Sequence, residues 1–217
     1  MKKILLALSL FSALSLTACE KVATPAEEEQ KQENNENDGN GNNNGGTPSG
    51  NNDNTGKKVL VAYFSFTNTT KGFATTIAEI AGADVYEIVP EVAYGSENSN
   101  YYDESTRAYK EQKNTGGEQR PAIKKTLENA DSYDVIFLGH PIWYSKAPRV
   151  IFTFLDAYGF KGKKVVEFVT SASTGITTAE SELKETYKDI TWGSGRKLNG
   201  SSALSEDELK AWVNSNL

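Results

Sequence analysis

The sequence predicts a domain of the α/β class, built on a doubly wound parallel sheet. Three short apolar runs, at residues 59–64, 135–138 and 165–169, have the composition of strands that are covered on both faces. Segments with helical periodicity separate these runs, and strands that alternate with helices form such sheets. The 161 residues from 57 to 217 contain no repeat and are enough for a single core.

The remaining strands have weaker signals. Residues 85–89 mix apolar and charged side chains, so we expect a strand at the edge of the sheet. The run at 165–169 is interrupted only by Glu167. A further short strand is predicted near residues 190–192 or at 197–198, and the sequence leaves these two positions open.

Four segments have the periodicity or the caps of helices. The first ends before Gly82, since glycine is favoured just past a helix C-terminus. The second begins with Pro148, because proline is favoured at the first helical position, and it closes at Gly159. Ser205 and Glu208 form a capping box at the start of the last. The predicted helices cover residues 70–81, 148–158, 180–188 and 205–215.

Composition excludes several classes of protein. The chain has 23 basic and 29 acidic residues, a net charge of −6, so there is no electrostatic basis for a nucleic-acid partner. It has one Cys and one His, which cannot supply the four ligands of a structural zinc site or form an internal disulfide. We therefore expect no metal site of this kind.

The N-terminus has the features of an export signal. Lys2 and Lys3 precede a short apolar stretch, too short to span a membrane. It ends in residues 16–19, Leu-Thr-Ala-Cys, which resemble the lipobox of bacterial lipoproteins. The alternative is a plain secretory signal, but the only cysteine of the chain lies at this one place. The resemblance implies a signal peptide at 1–18 and a lipid on Cys19, which would anchor the protein outside the cytoplasm in the bacterial cell envelope.

Residues 19–56 are predicted to be a disordered tether. Residues 20–56 include ten Asn and six Gly but no aromatic residue, Ile or Leu. Such a segment cannot bury enough apolar surface to offset the entropy lost on ordering. The folded domain is therefore expected to cover 57–217.

In doubly wound sheets, ligands bind beyond the carboxyl ends of the strands, so the loops that follow the buried strands are the candidate site. The first loop, residues 65–71, carries four hydroxyl groups just before a helix. Hydroxyls and unpaired helix N–H groups can hold a phosphate without a cationic side chain. The simpler alternative is that one Thr caps the helix.

The second loop, residues 139–148, places Trp143 next to Tyr144. Aromatics on a ligand-facing loop suggest stacking on a flat ring, whereas the alternative is that the Trp folds back into the core. The third loop, residues 170–175, consists of small and polar residues whose backbone could approach the edge of a ring. Together the three loops describe a site for a phosphorylated, flat heteroaromatic molecule.

These loops resemble those of the flavodoxin-like family often found on bacterial lipoproteins. Residues 63–71 resemble the family's Y-F-S-x-[ST]-G-N-T-K, residues 139–148 its G-Y-P-I-W-W-G-x-A-P, and residues 168–175 its F-x-T-S-G-G-S-G. The resemblance extends over about 58–216. It implies a five-stranded parallel sheet of order 2-1-3-4-5 with helices on both faces, and non-covalently bound FMN.

The resemblance also implies which residues hold FMN. The phosphate would be held by Ser65, Thr67, Asn68, Thr69 and Thr70, and the ring by Pro141, Ile142, Trp143, Tyr144, Ser145, Ser171, Ala172, Ser173 and Gly175, with Trp143 or Tyr144 flanking the isoalloxazine. Asn68 and Ser145 stand where the family has glycine. Asn tolerates a left-handed backbone, so the turn at Asn68 should survive, whereas Ser145 should affect the redox potential.

Two features remain open. His140 would either donate protons near the flavin or merely precede Pro141, and we favour the second interpretation. The long connection at 91–120 carries several tyrosines and would either roof the flavin or cover the edge of the sheet.

The expected function is electron transfer. The flavin does the chemistry, so no catalytic acid, base or nucleophile is expected. The partners would be a redox protein or a small one-electron donor or acceptor, together with the membrane through the lipid. The alternatives are an FMN-dependent NAD(P)H quinone or nitro reductase, and a surface binding module that has lost the cofactor.

Overall fold

The computed structural model describes residues 56–100, 102–117 and 119–217. The predicted signal peptide, Cys19 and nearly all of the predicted tether lie outside these residues. Within the described part of the chain, no helix is long and apolar enough to cross a membrane.

The described chain alternates strands with helices, as the sequence predicts. The strands are β1 (Val59–Tyr63), β2 (Asp84–Glu87), β3 (Val135–Pro141), β4 (Lys164–Thr170), β5 (Thr191–Trp192) and β6 (Arg196–Lys197). The helices are α1 (Thr69–Ala81), α2 (Arg107–Lys113), α3 (Arg149–Tyr158), α4 (Thr177–Thr186) and α5 (Glu206–Asn216). Three short 3-10 turns lie at Ser96–Ser99, Ala130–Ser132 and Gly200–Ser202.

All strand pairs are parallel, and the order is β2-β1-β3-β4-β5. The predicted fold class and strand order are confirmed. As expected from its mixed composition, β2 is at the edge of the sheet. The two positions proposed for the fifth strand are both strands, because β5 pairs with the start of β4 and β6 with its end. Between them, Ser194 instead bonds to α5, through Asn216 Oδ1 and the indole N–H of Trp212.

The caps explain where most helices begin and end. Gly82 and Gly159 take the left-handed conformation just past α1 and α3, as predicted. The capping box of Ser205 and Glu208 is present at α5. Pro148 is the N-cap of α3 rather than its first residue.

Three elements differ from the prediction. No sequence pattern predicted α2, which lies within the 91–120 connection. α4 begins three residues before its predicted start and ends two residues before its predicted end. β3 continues for three residues past the predicted end, through His140 to Pro141. This extension is held by pairing with β4 up to Thr170, a tertiary contact that local composition does not reveal.

The core lies in two layers, one on each face of the sheet. One layer packs side chains of β1, β3 and β4 against α3 and α4, with Phe154 and Leu183 among its fully buried members. The other packs the opposite face against α1 and α5, where Phe137 meets Trp212 with ring centroids 5.6 Å apart. The two layers cover both faces of the sheet, whereas the loops lie at the ends of its strands.

Candidate functional site

A pocket of about 600 Å³ lies beyond the carboxyl ends of β1, β3 and β4. All three loops named by the sequence contribute to it, so residues that are far apart in the chain meet at one place. The residues that line it are Thr67, Thr69, Tyr102, Pro141, Ile142, Tyr144, Ser145, Thr170, Ser171, Ala172, Ser173, Thr174 and Asn199. None of these lining residues carries a charged side chain.

The first loop presents the N-terminus of α1 to the pocket. Asn68 is the N-cap of α1 in the left-handed conformation (φ 64°), and its own side chain makes no capping hydrogen bond. The turn at Asn68 therefore survives without glycine, and the expectation of an ordinary Thr cap is wrong. The hydroxyls of Thr67 and Thr69 lie 3.2 Å apart on the pocket wall. Hydroxyls beside free helix N–H groups are suited to an anion.

Three predicted phosphate ligands do not line the pocket. The Ser65 hydroxyl accepts the N–H of Lys71 at 3.3 Å, and Asn68 serves as the turn. The side chain of Thr70 is buried, and its hydroxyl bonds to that of Thr170 at 2.8 Å. This bond ties the start of α1 to the end of β4, so we expect Thr70 to offer a ligand its backbone N–H rather than its hydroxyl.

The second loop folds its tryptophan into the core. The Trp143 ring packs edge-on against Phe64, Phe66 and Tyr94, at centroid distances of 5.4, 5.7 and 4.8 Å. It is 3% exposed and does not line the pocket. Of the two aromatics proposed to flank the ring, the structure thus leaves Tyr144.

Tyr144 and Ser145 form the tip of a two-residue hairpin. Trp143 and Lys146 exchange both backbone hydrogen bonds at 2.9 Å. The two residues between them have positive φ, 51° for Tyr144 and 66° for Ser145. Positive φ at both positions is typical of a type I′ turn, which normally takes Asn or Gly. The pocket edge therefore holds two strained residues.

The third loop is fixed by hydrogen bonds from within and from the C-terminal region. The N–H of Ser171 donates to Asn199 Oδ1 at 2.7 Å, and the N–H of Thr174 to Ser171 Oγ at 3.1 Å. Ser171, Ala172 and Ser173 line the pocket as predicted, whereas Gly175 does not. Asn199, which sequence reasoning missed as a site residue, both lines the pocket and orients this loop.

The 91–120 connection contributes side chains both to the core and to the pocket. Tyr94 lies in the core behind Trp143. Tyr109, on α2, packs edge-on against Tyr144 at 5.5 Å. Tyr102, one of the tyrosines of this connection that the sequence offered as a possible roof, is 94% exposed and lines the pocket.

His140 fits neither sequence interpretation. It is fully buried and does not line the pocket. Its Nε2 lies 2.9 Å from Oε1 of Glu167 on the adjacent strand. Burial raises the pKa of the Glu167 carboxyl. No cluster of three or more His, Cys, Asp or Glu side chains in the described part of the chain has a geometry that could hold a metal.

Two cations, one on the second loop and one at the start of α3, are bound to a carboxylate. Lys146 and Arg149 both donate to Oε1 of Glu182, at 3.3 Å and 3.0 Å. Arg149 is buried, so its charge is balanced by Glu182 rather than by solvent. Its guanidinium stabilises the packing of α3 on α4.

A family profile described as Flavodoxin matches residues 58–216. The chain belongs to the flavodoxin family. This flavodoxin is 39% identical to a Bacteroides eggerthii protein assigned as a flavoprotein and 40% identical to one from Bacteroides uniformis. The matches cover 74% and 73% of this chain and 98% and 99% of theirs, each with a TM-score of 0.67.

A flavoprotein from Lactobacillus acidophilus, solved in complex with FMN, is 25% identical to this flavodoxin. That match covers 72% of this chain and 98% of the other, with a TM-score of 0.57. None of the curated proteins matches the chain. The family and the strand order together support the prediction that the ligand site lies at the three loops.

The strained hairpin generates a stability prediction. A left-handed conformation costs a non-glycine residue ~1–2 kcal/mol, so Ser145→Gly should raise the free energy of unfolding by about 1 kcal/mol. The matched control is Ser173→Gly, in the same pocket at a residue without positive φ. It should lower stability slightly, because glycine only adds entropy to the unfolded chain. Urea unfolding in which Ser145→Gly is no more stable than Ser173→Gly would contradict the prediction.

Proposed function

We propose that this flavodoxin binds FMN at the three-loop pocket and carries electrons at the bacterial cell envelope. The observation that carries the proposal is the uncharged pocket at the carboxyl ends of β1, β3 and β4. Bound FMN supplies the redox chemistry, and the protein binds, orients and tunes it. The FMN complex of the Lactobacillus acidophilus relative supports the choice of ligand.

The first loop fits the phosphate of FMN. Thr67 and Thr69 line the pocket with their hydroxyls, and the N-cap Asn68 of α1 makes no side-chain capping bond there. The helix dipole and the free N–H groups favour an anion at this end. Because no lining residue is charged, the phosphate would be held by dipoles and hydroxyls alone.

The ring of FMN fits between the other two loops. Tyr144 offers an aromatic face at one side, and the exposed Tyr102 offers a second. Ser171, Ala172 and Ser173 have side chains small enough for the backbone to approach the edge of the ring. Aromatic faces contribute about 0.5–1.5 kcal/mol beyond the area they bury.

We expect the protein to bind FMN at least about tenfold more tightly than riboflavin, since hydrogen bonds to a charged group are worth ~1.5–3 kcal/mol each. Thr69→Val should weaken binding of FMN but not of riboflavin. Thr75→Val is the matched control, because this hydroxyl lies on the same helix and bonds to the Lys71 carbonyl away from the pocket. Quenching of flavin fluorescence measures all six affinities, those of the wild type and of the two variants for each flavin. Equal affinity for the two flavins would show that the loop does not bind phosphate, and no binding of either would favour a module without cofactor.

The charge distribution supports a carrier over a hydride-transfer enzyme. An NAD(P)H reductase must hold a second nucleotide against the flavin, where a misplacement of about 1 Å can cost ~100-fold in rate. Its phosphates would need cations, but Lys146 and Arg149 are both bound to Glu182. Residues 57–217 carry 21 acids and 19 bases, so the domain has no excess of positive charge to attract dinucleotides.

The FMN-loaded protein should therefore accept electrons one at a time from a redox protein or a small one-electron donor, and oxidise NADH and NADPH slowly. Stopped-flow absorbance of the flavin band after mixing with each donor measures this. Rapid reduction by either nucleotide, at rates typical of enzyme turnover, would instead establish the reductase.

The lipid anchor is proposed from residues 16–19, which lie outside the described residues. Cys19→Ala should move the protein from the membrane fraction to the soluble fraction, because one thiol carries the proposed lipid. Thr24→Ala, in the tether beyond the lipobox, is the control and should stay with the membrane. Membrane retention of Cys19→Ala would exclude this mode of anchoring.

A further inference from the structure

Two buried titratable side chains lie side by side on the central strands. His140 on β3 and Glu167 on β4 are 0% and 1% exposed, and His140 Nε2 is 2.9 Å from Glu167 Oε1. His140 is the last residue before Pro141, which lines the pocket. Neither of these side chains has a part in the proposed binding of FMN.

The contact at the other imidazole nitrogen, Nδ1, shows how many protons His140 and Glu167 hold between them. His140 Nδ1 is 2.9 Å from the carbonyl oxygen of Pro141. A carbonyl can only accept a hydrogen bond, so Nδ1 must carry a proton. The contact at Nε2 then needs one further proton, which belongs either to the carboxyl group or to the imidazole. In both cases the pair holds one shared proton and is neutral overall.

The second carboxyl oxygen of Glu167 indicates whether the carboxyl group or the imidazole carries this further proton. Glu167 Oε2 is buried and has no hydrogen-bond partner among the described residues. An unpaired oxygen of a buried carboxylate is much more costly than the carbonyl oxygen of a neutral acid. The environment therefore favours a carboxylic acid next to a neutral imidazole.

The surrounding charges comprise two ion pairs and one lysine. On α4, Glu180 is bound to Lys184 at 2.8 Å, and these two side chains interact electrostatically with Glu167 in opposite senses. On α3, Arg149 is bound to Glu182 of α4. On β6, the buried Lys197 pairs in register with Val169, two residues beyond Glu167.

We propose that Glu167 stays protonated and donates to His140 Nε2, and that His140 Nδ1 donates to the Pro141 carbonyl, so that a neutral hydrogen-bonded chain positions the pocket end of β3. His140 and Glu167 are thus positioning residues. The pocket edge that they hold belongs to the proposed FMN site. The chain itself exists without ligand, so its tests use the protein without FMN and are independent of that function.

The single histidine permits a direct test. The full-length protein, labelled with 15N-histidine and purified without a histidine tag, has one imidazole to observe. Nitrogen NMR at neutral pH should find Nδ1 protonated and Nε2 unprotonated. A proton on both nitrogens, or a proton on Nε2 alone, would each overturn the proposal.

The pH dependence of stability tests whether Glu167 keeps its proton in the folded protein. The raised pKa of Glu167 means that folding retains a proton which the unfolded chain releases above its ordinary value of about 4.3. The wild type therefore loses stability relative to Glu167→Gln as pH rises above about 4.3, by up to about tenfold in the folding equilibrium constant per pH unit for as long as the folded protein keeps the proton. Glu185→Gln, at an exposed position on α4, controls for loss of a charge and should show a constant difference. A difference for Glu167→Gln that is also constant would overturn the proposal.

A comparison of two Glu167 variants tests whether the pair positions the pocket end of β3. Gln can donate to Nε2 as the neutral acid does, so Glu167→Gln should keep the backbone amide signal of Ile142 in place in spectra of the FMN-free protein. Glu167→Leu cannot donate, so it should shift that signal. If both variants leave it unchanged, the pair does not hold this edge of the pocket. If Glu167→Leu does not fold, nitrogen NMR of the wild-type imidazole and the stability of Glu167→Gln against pH still test the proposal.

Discussion

The parallel pairing of β1, β3 and β4 is the constraint on which the rest of this flavodoxin depends. Tyr63 pairs with Gly139, and Pro141 pairs with Thr170, so three strands end close together at one edge. A parallel sheet directs every carboxyl end the same way, and the helices that cross over return the chain to the opposite edge. Three loops separated by up to 100 residues therefore form one pocket.

Hydrogen bonds between the loops preserve this arrangement. The hydroxyls of Thr70 and Thr170 join the first loop to the third, and the N–H of Ile142 donates to the Thr170 carbonyl at 3.0 Å. Asn199 orients the third loop from beyond β6. Because these bonds are buried or partly buried, breaking one would leave an unsatisfied polar group, which costs about 1–3 kcal/mol.

The pocket is uncharged although titratable side chains lie close to it. Arg149 and Lys146 are bound to Glu182, and Glu167 is held next to His140. A ligand would thus meet helix dipoles, hydroxyls and aromatic faces rather than fixed ions. The strained backbone of Tyr144 and Ser145 lies at the same edge of the pocket. Trp143, which precedes them in the hairpin, is buried in the core and holds the hairpin in place. Strained residues persist only where the surrounding packing determines their conformation.

The sequence by itself determined the fold class, the strand order through the family resemblance, and the three loops that meet at the pocket. Local signals suffice for these features, since buried strands, helix caps and loop motifs each depend on a few neighbouring residues. The capping box at Ser205 and the left-handed turn at Asn68 are examples.

Only the tertiary structure decided which residues of those loops line the pocket. A hydroxyl at Thr70 and one at Thr69 look alike in the sequence, but the first is buried against Thr170, 100 residues away. Trp143 turns into the core because Phe64 and Tyr94 are there to receive it. In the same way, the partners of His140, Arg149 and Asn199 lie on other elements of the fold. Burial and pairing depend on residues that are distant in the chain, so no local pattern could have assigned these roles.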